Sequence, residues 1–190
     1  MRDADDPNDG PEEFDAPGAP EELSAGADIH KNAWSQTIDD MQALGSELRD
    51  EGWETVITSL AVDTAPEPPE DGPEGRWGLV HVVPDNNAEP IQEAVAAGEF
   101  PKFDVFRATA EGRIFLVTQL LDPETKTAVL VAGNFQRRLA RGAVRTAMEH
   151  DEFYTHLQTL DGTHLGSFRH ESYEKFFPEA DRLVDVDPEV

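Results

Sequence analysis

The chain predicts an α+β (mixed α/β) domain, with three to four helices packed on a mixed or mostly antiparallel sheet of about six to seven strands. Three observations carry this. An amphipathic helical pattern opens the structured part, apolar strand-like runs recur through the middle, and several of those runs are separated only by hairpin-length turn signals.

Residues 1–26 carry nine acids and one Arg among Pro, Gly and Ala, a composition that cannot offset its ordering entropy. They read as a disordered acidic tail, and a single domain then spans 27–182. From Asp28, an N-cap type, to Gly52, a C′ type, the chain reads as a helix. Trp34, Ile38, Met41, Gly45 and Leu48 fall within an arc of about 80°, while Asp39, Glu47 and Asp50 face away. Strand-like runs follow at 53–62 and 77–84, the second apolar on both faces and hence central in a sheet. Between them DTAPEPPEDGPEGR, residues 63–76, holds four prolines and five acids and reads as an exposed loop. A short helix starts around Pro90, a residue suited to a first helical turn, and ends near Gly98. The runs 103–110 and 113–121 flank the turn pair Glu111 and Gly112, and LDPET turns the chain into 126–133. A third helix runs over 135–150, and 154–170 forms a last hairpin about Asp161 and Gly162. Tyr173, Phe176 and Phe177 anchor a C-terminal helix on the domain, and 183–190 reads as a flexible tail.

Forty Asp and Glu against fifteen Lys and Arg give a net charge of -25, although 38% hydrophobic content still supports a core. That density points to concentrated salt, where the Debye length falls to about 3 Å and neighbouring carboxylates are screened. Only four basic residues are Lys (31, 102, 126 and 175), so few long aliphatic stems line the surface. The absence of Cys excludes disulfides, a thiolate nucleophile and Cys-ligated metal. No run approaches the roughly 18 apolar residues of a membrane span, and MRDADDPNDG has no apolar signal region, so a cytoplasmic, non-membrane protein is expected. The acidic field argues against nucleic acid as a partner.

With the acidic tail, the Lys-poor composition and the run TLDGTHLGSFRHESYEKFFP in view, the chain resembles uncharacterised cytoplasmic proteins of haloarchaea over residues 34–178. The resemblance implies a halophilic source. It carries over no functional residues and no activity.

Positive charge is concentrated in one place: residues 135–170 hold five Arg and four acids, a balance of +1. On a helix over 135–150, Arg137, Arg141, Arg145 and Arg138 share about one quarter of the surface, and Leu139, Ala140, Ala143 and Ala147 take the opposite side. The strand VLVAG running into Asn134 and that helix suggests an anion site, in which free helix N–H groups are joined by Asn134, Arg137, Arg138, Arg141 and Arg145. His156 and Arg169 of the last hairpin would complete it. The competing structural reading gives these Arg residues to ion pairs with the acidic excess.

The histidines offer less. A two-residue turn at Asp161 and Gly162 pairs 156 with 167 and 159 with 164. That sorting places His164 and His170 on one face with Phe153 and Leu157, and His156 on the other with Tyr154 and Arg169; a bulge would change it. His164 and His170 lie about 20 Å apart along a strand, too far to share an ion, so neither a metal nor another cofactor is expected. Ser167 has no GxSxG context, His81 and His30 read as packing, and Glu124, Lys126 and Asp104 make only a weak nuclease-like triplet.

The sequence is therefore read as a halophilic binding or interaction domain for a small anion or a protein partner. The alternative is a hydrolase acting on a phosphorylated or acidic substrate through His156, His164 or His170 and the Arg cluster. An enzyme should gather these groups around one concavity, whereas a binding module need not.

Overall fold

The computed structural model describes residues 20–67 and 76–185. The first helix, α1 (Pro20–Asp50), is followed by β1 (Thr55–Leu60), β2 (Asp63–Glu67) and β3 (Gly78–Val82). Then come α2 (Asp85–Ala97), β4 (Lys102–Ala110), β5 (Arg113–Asp122) and β6 (Thr127–Gln136). A 3-10 turn over Arg137–Ala140 leads into α3 (Arg141–His150), β7 (Phe153–Gln158), β8 (His164–His170) and α4 (Ala180–Val184). The fold class is the α+β class that the sequence predicts, with four helices among the described residues.

The strands divide into two four-stranded sheets, ordered β1-β6-β5-β4 and β2-β3-β7-β8, rather than the one larger sheet expected. Both are mixed: β1 runs parallel to β6 and β3 parallel to β7, and the remaining pairs are antiparallel. The edge strand of the second sheet, β2, falls in a stretch read as loop. Asp63–Glu67 pairs antiparallel with β3, and as an edge strand it admits Pro66 without losing a central ladder bond. Residues 68–75 of that stretch, and 1–19 and 186–190 of the expected tails, lie outside the described residues. Residues 20–26 belong to α1, so the helix reaches back beyond the Asp28 signal.

Side-chain alternation builds three layers from these elements. One face of the first sheet, through Val117, Ala128, Leu130 and Ala132, packs on Met41 and Leu48 of α1. Its other face, through Leu116, Leu120, Val129, Val131 and Phe135, meets Leu79, Phe153, Leu157 and Phe168 of the second sheet. Ile91 and Ala94 of α2 join this inter-sheet core at one side, and α3, α4, Phe176 and Phe177 join it at the other. Pro90 does not open α2: the turn closes earlier, through Asn87 N–H donating to Pro84 C=O at 2.9 Å, and Pro90 sits exposed inside the helix. β6 runs on to Gln136 and α3 starts only at Arg141, so the helix expected over 135–150 is shortened from its front.

The inter-sheet core also contains paired polar groups. Thr64 Oγ1 and His81 Nδ1 are 2.9 Å apart, and Thr155 Oγ1 and His170 Nε2 are 2.8 Å apart, all four residues being buried. The His170 ring lies 4.1 Å from the Phe103 ring and 5.0 Å from that of Phe176, measured between centroids. Opposite the first pair stands Gly133 of β6. A Cβ there would press into Thr64 Oγ1 and come within 2.9 Å of His81 Nδ1, so the close approach of the sheets depends on that glycine.

Gly133→Ala should therefore destabilise the fold by about 1–3 kcal/mol, as overpacking of a filled core does. Combining it with Thr64→Ala removes one of the two colliding groups, so the double variant should lose less than the sum of the singles. Denaturant unfolding of the four proteins measures this. Strict additivity would show that the collision does not set the cost.

Candidate functional site

The structure disperses the constellation expected around the Arg-rich helix. Asn134 is a β6 residue on the α1 side of the first sheet, and its Oδ1 accepts from Arg113 Nε at 3.1 Å and Nη2 at 2.7 Å. No helix N-terminus adjoins it. Arg137 turns toward α4 and pairs with Glu179 at 3.1 Å, closing a crevice lined by Arg107, Phe177 and Leu183. Arg138 points elsewhere, its Nε donating to Gln136 Oε1 at 2.9 Å. The shared quarter-turn fails because Arg137 and Arg138 lie in the 3-10 turn, where the 100° spacing of an α-helix does not apply. Arg141 opens α3 with its Nε buried and without a partner, and Arg145 is exposed. Arg169 is held by Glu152 at 2.5 Å and Glu171 at 3.2 Å, the ion-pair alternative of the sequence reading.

The last hairpin resolves by a bulge. From Phe153↔His170 to Leu157↔Gly166 the register matches the expected one, His156 facing Ser167. Beyond that the pairing shifts and Gln158 faces His164, leaving Leu165 as the extra residue. The turn that forces this is held by Asp161 Oδ1, which accepts from Thr163 N–H at 3.1 Å, from Thr163 Oγ1 at 2.8 Å and from Thr159 Oγ1. His164 consequently lies on the face of His156, not that of His170. Ser167 Oγ bridges the two, 2.8 Å from His156 Nδ1 and 3.1 Å from His164 Nε2. His170 points into the inter-sheet core. Among the described residues no group of three or more His, Asp or Glu side chains is arranged to hold a metal ion. Nor does the nuclease-like triplet gain a strand: Glu124 sits in the β5–β6 turn, and Asp104 faces Lys175 at 3.7 Å.

What the fold does assemble is a cleft of about 270 Å³ lined by His30, Glu111, Gly112, Arg113, Gln136 and Arg138. The tight Glu111-Gly112 turn, with φ of 46° and 74°, ends β4 and starts β5 at Arg113. Arg113 and Gln136 are cross-strand partners, so both side chains emerge on the α1 side. His30 descends from α1, its Nε2 donating to Glu111 C=O at 3.3 Å, and its ring lies 6.1 Å from that of Phe115.

The electrostatics of this cleft rest on two guanidinium groups. In a chain with forty acids, both of its guanidinium groups are held by neutral amide oxygens, and neither makes an ion pair with a carboxylate among the described residues. The amides fix each group by its Nε side. Arg113 keeps Nη1, and Arg138 keeps both Nη nitrogens, as donors for something else. One carboxylate, that of Glu111, stands on the exposed rim. Of these lining residues the sequence marks Arg138 as a candidate and His30 as packing, and it does not mark Arg113. The signal for Arg113 was available: four turn residues, 123–126, between Asp122 and Thr127 place 113 opposite 136.

The three buried histidines belong to stability rather than to the cleft. Burial lowers the His81 pKa to about 4, with His156 adding to it. Burial likewise takes His156 to about 4 against the opposing Trp77 carbonyl, and His170 to about 3. Each is neutral in the folded protein at pH 7.

The chain belongs to a family of unknown function, DUF7529, whose model matches residues 20–178 and so includes every lining residue of the cleft. No curated protein and no solved structure matches the chain. No described helix is long and apolar enough to cross a membrane.

A folded-state pKa below the unfolded value means that the unfolded chain takes up protons first. The penalty is therefore absent above about pH 6.5 and grows as pH falls toward about 4. Relative to His81→Gln, which cannot titrate there, the wild type should lose on the order of 3 kcal/mol across that window. Chemical denaturation of both proteins between pH 7.5 and 4 measures the gap, and a pH-independent difference would rule out a neutral buried His81.

Proposed function

We propose that this protein is a binding module for a small oxyanion, taken by the cleft between α1 and the ends of β5 and β6. The observation that carries this is the pair Arg113 and Arg138, oriented by Asn134 and Gln136 and left without carboxylate partners on a chain of net charge -25. Guanidinium groups fixed on one edge present the other in a geometry that suits phosphate or carboxylate oxygens. This reading keeps the small anion expected from the sequence but moves the site from the Arg face of 135–150 to the neighbouring strand ends. Arg137 and Arg169 belong to ion pairs, and Asn134 becomes a positioning residue for Arg113.

The hydrolase alternative rests on Ser167 lying between His156 and His164. That cluster is on the outward face of the second sheet, whereas the cleft is on the α1 side of the first, so one substrate cannot engage both. Binding is the reading the geometry favours. The acidic surface adds the proposal that the protein works in a salt-rich cytoplasm, where screening relieves carboxylate repulsion.

Isothermal titration with inorganic phosphate tests the site. Arg113→Gln and Arg138→Gln should each weaken binding by about tenfold or more, the scale of a lost charge-assisted hydrogen bond, and Arg145→Gln should leave it unchanged. Absence of binding in the wild type, or equal affinity in all four proteins, removes the cleft as the site. For the salt reading, the melting temperature should climb from dilute buffer to concentrated KCl; a flat profile sinks it.

A further inference from the structure

The sheet face that carries Arg113 continues past the cleft. Along β5 the side chains of Arg113, Phe115 and Val117 alternate onto the same face, and on β4 their register partners Ala110, Ala108 and Phe106 lie beside them. Across from this strip runs α1, with His30 at the cleft and Thr37 and Asp40 two to three turns further along. Between helix and strands lies a groove of about 400 Å³, lined by Thr37, Asp40, Phe106, Ala108, Phe115 and Val117 among others. Phe115 lies between the two spaces: it lines the groove, and its ring is 6.1 Å from that of His30, which lines the cleft.

The groove has an apolar floor and two unlike surroundings at its ends; Arg107 also lines it, with its Nη1 donating to Phe176 C=O at 2.7 Å. Phe106 is 40% exposed, although it faces a layer whose other large apolar residues are covered by α1. Beyond one end stand Arg113 and Arg138 of the neighbouring cleft; at the other stands Asp40, an exposed carboxylate that accepts from Gln36 Nε2 at 2.9 Å. An anion is drawn to the first end and repelled from the second. A ligand with a charged head and an apolar tail has one favourable orientation here.

We infer that the ligand is a single-chain amphiphilic anion, its phosphate or comparable oxyanion head between Arg113 and Arg138 and its unbranched apolar chain along Phe115, Ala108 and Phe106. The inference rests on the oxyanion cleft and adds the chemical class of what the head carries. The occupant is a monomeric amphiphile taken from solution, because a groove of about 400 Å³ has the size of a small-molecule site rather than of a membrane-facing surface.

Titration with inorganic phosphate and then with n-alkyl phosphates from ethyl to octyl, below their micellar concentrations, separates the two levels. Each added methylene should tighten binding about two- to fourfold until the groove is filled, the yield of burying a methylene partly or fully. Ala108 is exposed, so Ala108→Trp should fill the groove without disturbing the core. That variant should bind phosphate as the wild type does and lose the chain-length gain. Phosphate binding with no dependence on chain length would overturn the amphiphile and leave the oxyanion cleft standing. A chain-length gain that persists in Ala108→Trp would overturn the groove as the tail site. Failure of both phosphate and alkyl phosphates to bind would overturn the cleft and the inference together.

Discussion

Strand β6 is buried on both faces, and the rest of the molecule is arranged around that constraint. From Ala128 to Ala132 it has no exposed surface, with α1 on one side and the second sheet on the other. A strand enclosed in this way needs apolar side chains in both directions and small ones where a neighbour comes close. β6 provides Ala128 and Ala132 beneath the helix and Gly133 beneath Thr64 and His81. The approach at Gly133 brings a polar pair into the inter-sheet layer, where an unpartnered polar group is costly, and His81 is partnered there through Nδ1 but not Nε2. Thr64 meets His81 there, and Thr155 meets His170 by the same logic.

The candidate site follows from where that enclosure ends. α1 covers the middle of the first sheet, but the strand ends at Arg113 and Gln136 and the edge strand β4 extend beyond its full cover. Polar side chains appear on the helix-facing side as soon as the cover thins: Asn134 and Gln136 on β6, Arg113 on β5, His30 above them. Their mutual hydrogen bonds orient two guanidinium groups without neutralising them. The 3-10 turn after β6 makes the same division from the other direction, sending Arg137 to Glu179 and Arg138 to the cleft. Adjacent residues thus acquire opposite roles, one closing a surface by ion pairing and one left with donors to spare.

Much of the fold could be read from local chemistry. The Glu111-Gly112 turn, the two-sided apolar run at 77–84 and the helix over Trp34–Leu48 each have a short-range cause, and each stands in the structure near its expected place. The misreadings share a different cause. β2 was hidden in a Pro- and acid-rich stretch because an edge strand tolerates what a central strand does not. The Arg stripe was projected on a helix that tertiary pairing shortened, since the ladder from Arg113↔Gln136 to Asp122↔Thr127 holds residues 135 and 136 extended. His164 changed face because a bulge of one residue reverses every alternation beyond it.

Taken alone, the amino-acid sequence determined the α+β class, the net charge of -25, the hairpin register near His156 and the presence of a positive stretch around residues 134–145. These depend on composition and on contacts a few residues long. The tertiary structure decided that the strands form two sheets, that His81 and His170 are core groups, and that Arg113, distant in sequence from Arg138, is its partner in the cleft. Pairing between sheets and between strand ends depends on long-range burial. No local spacing encodes which guanidinium groups will find carboxylates and which will be left without them.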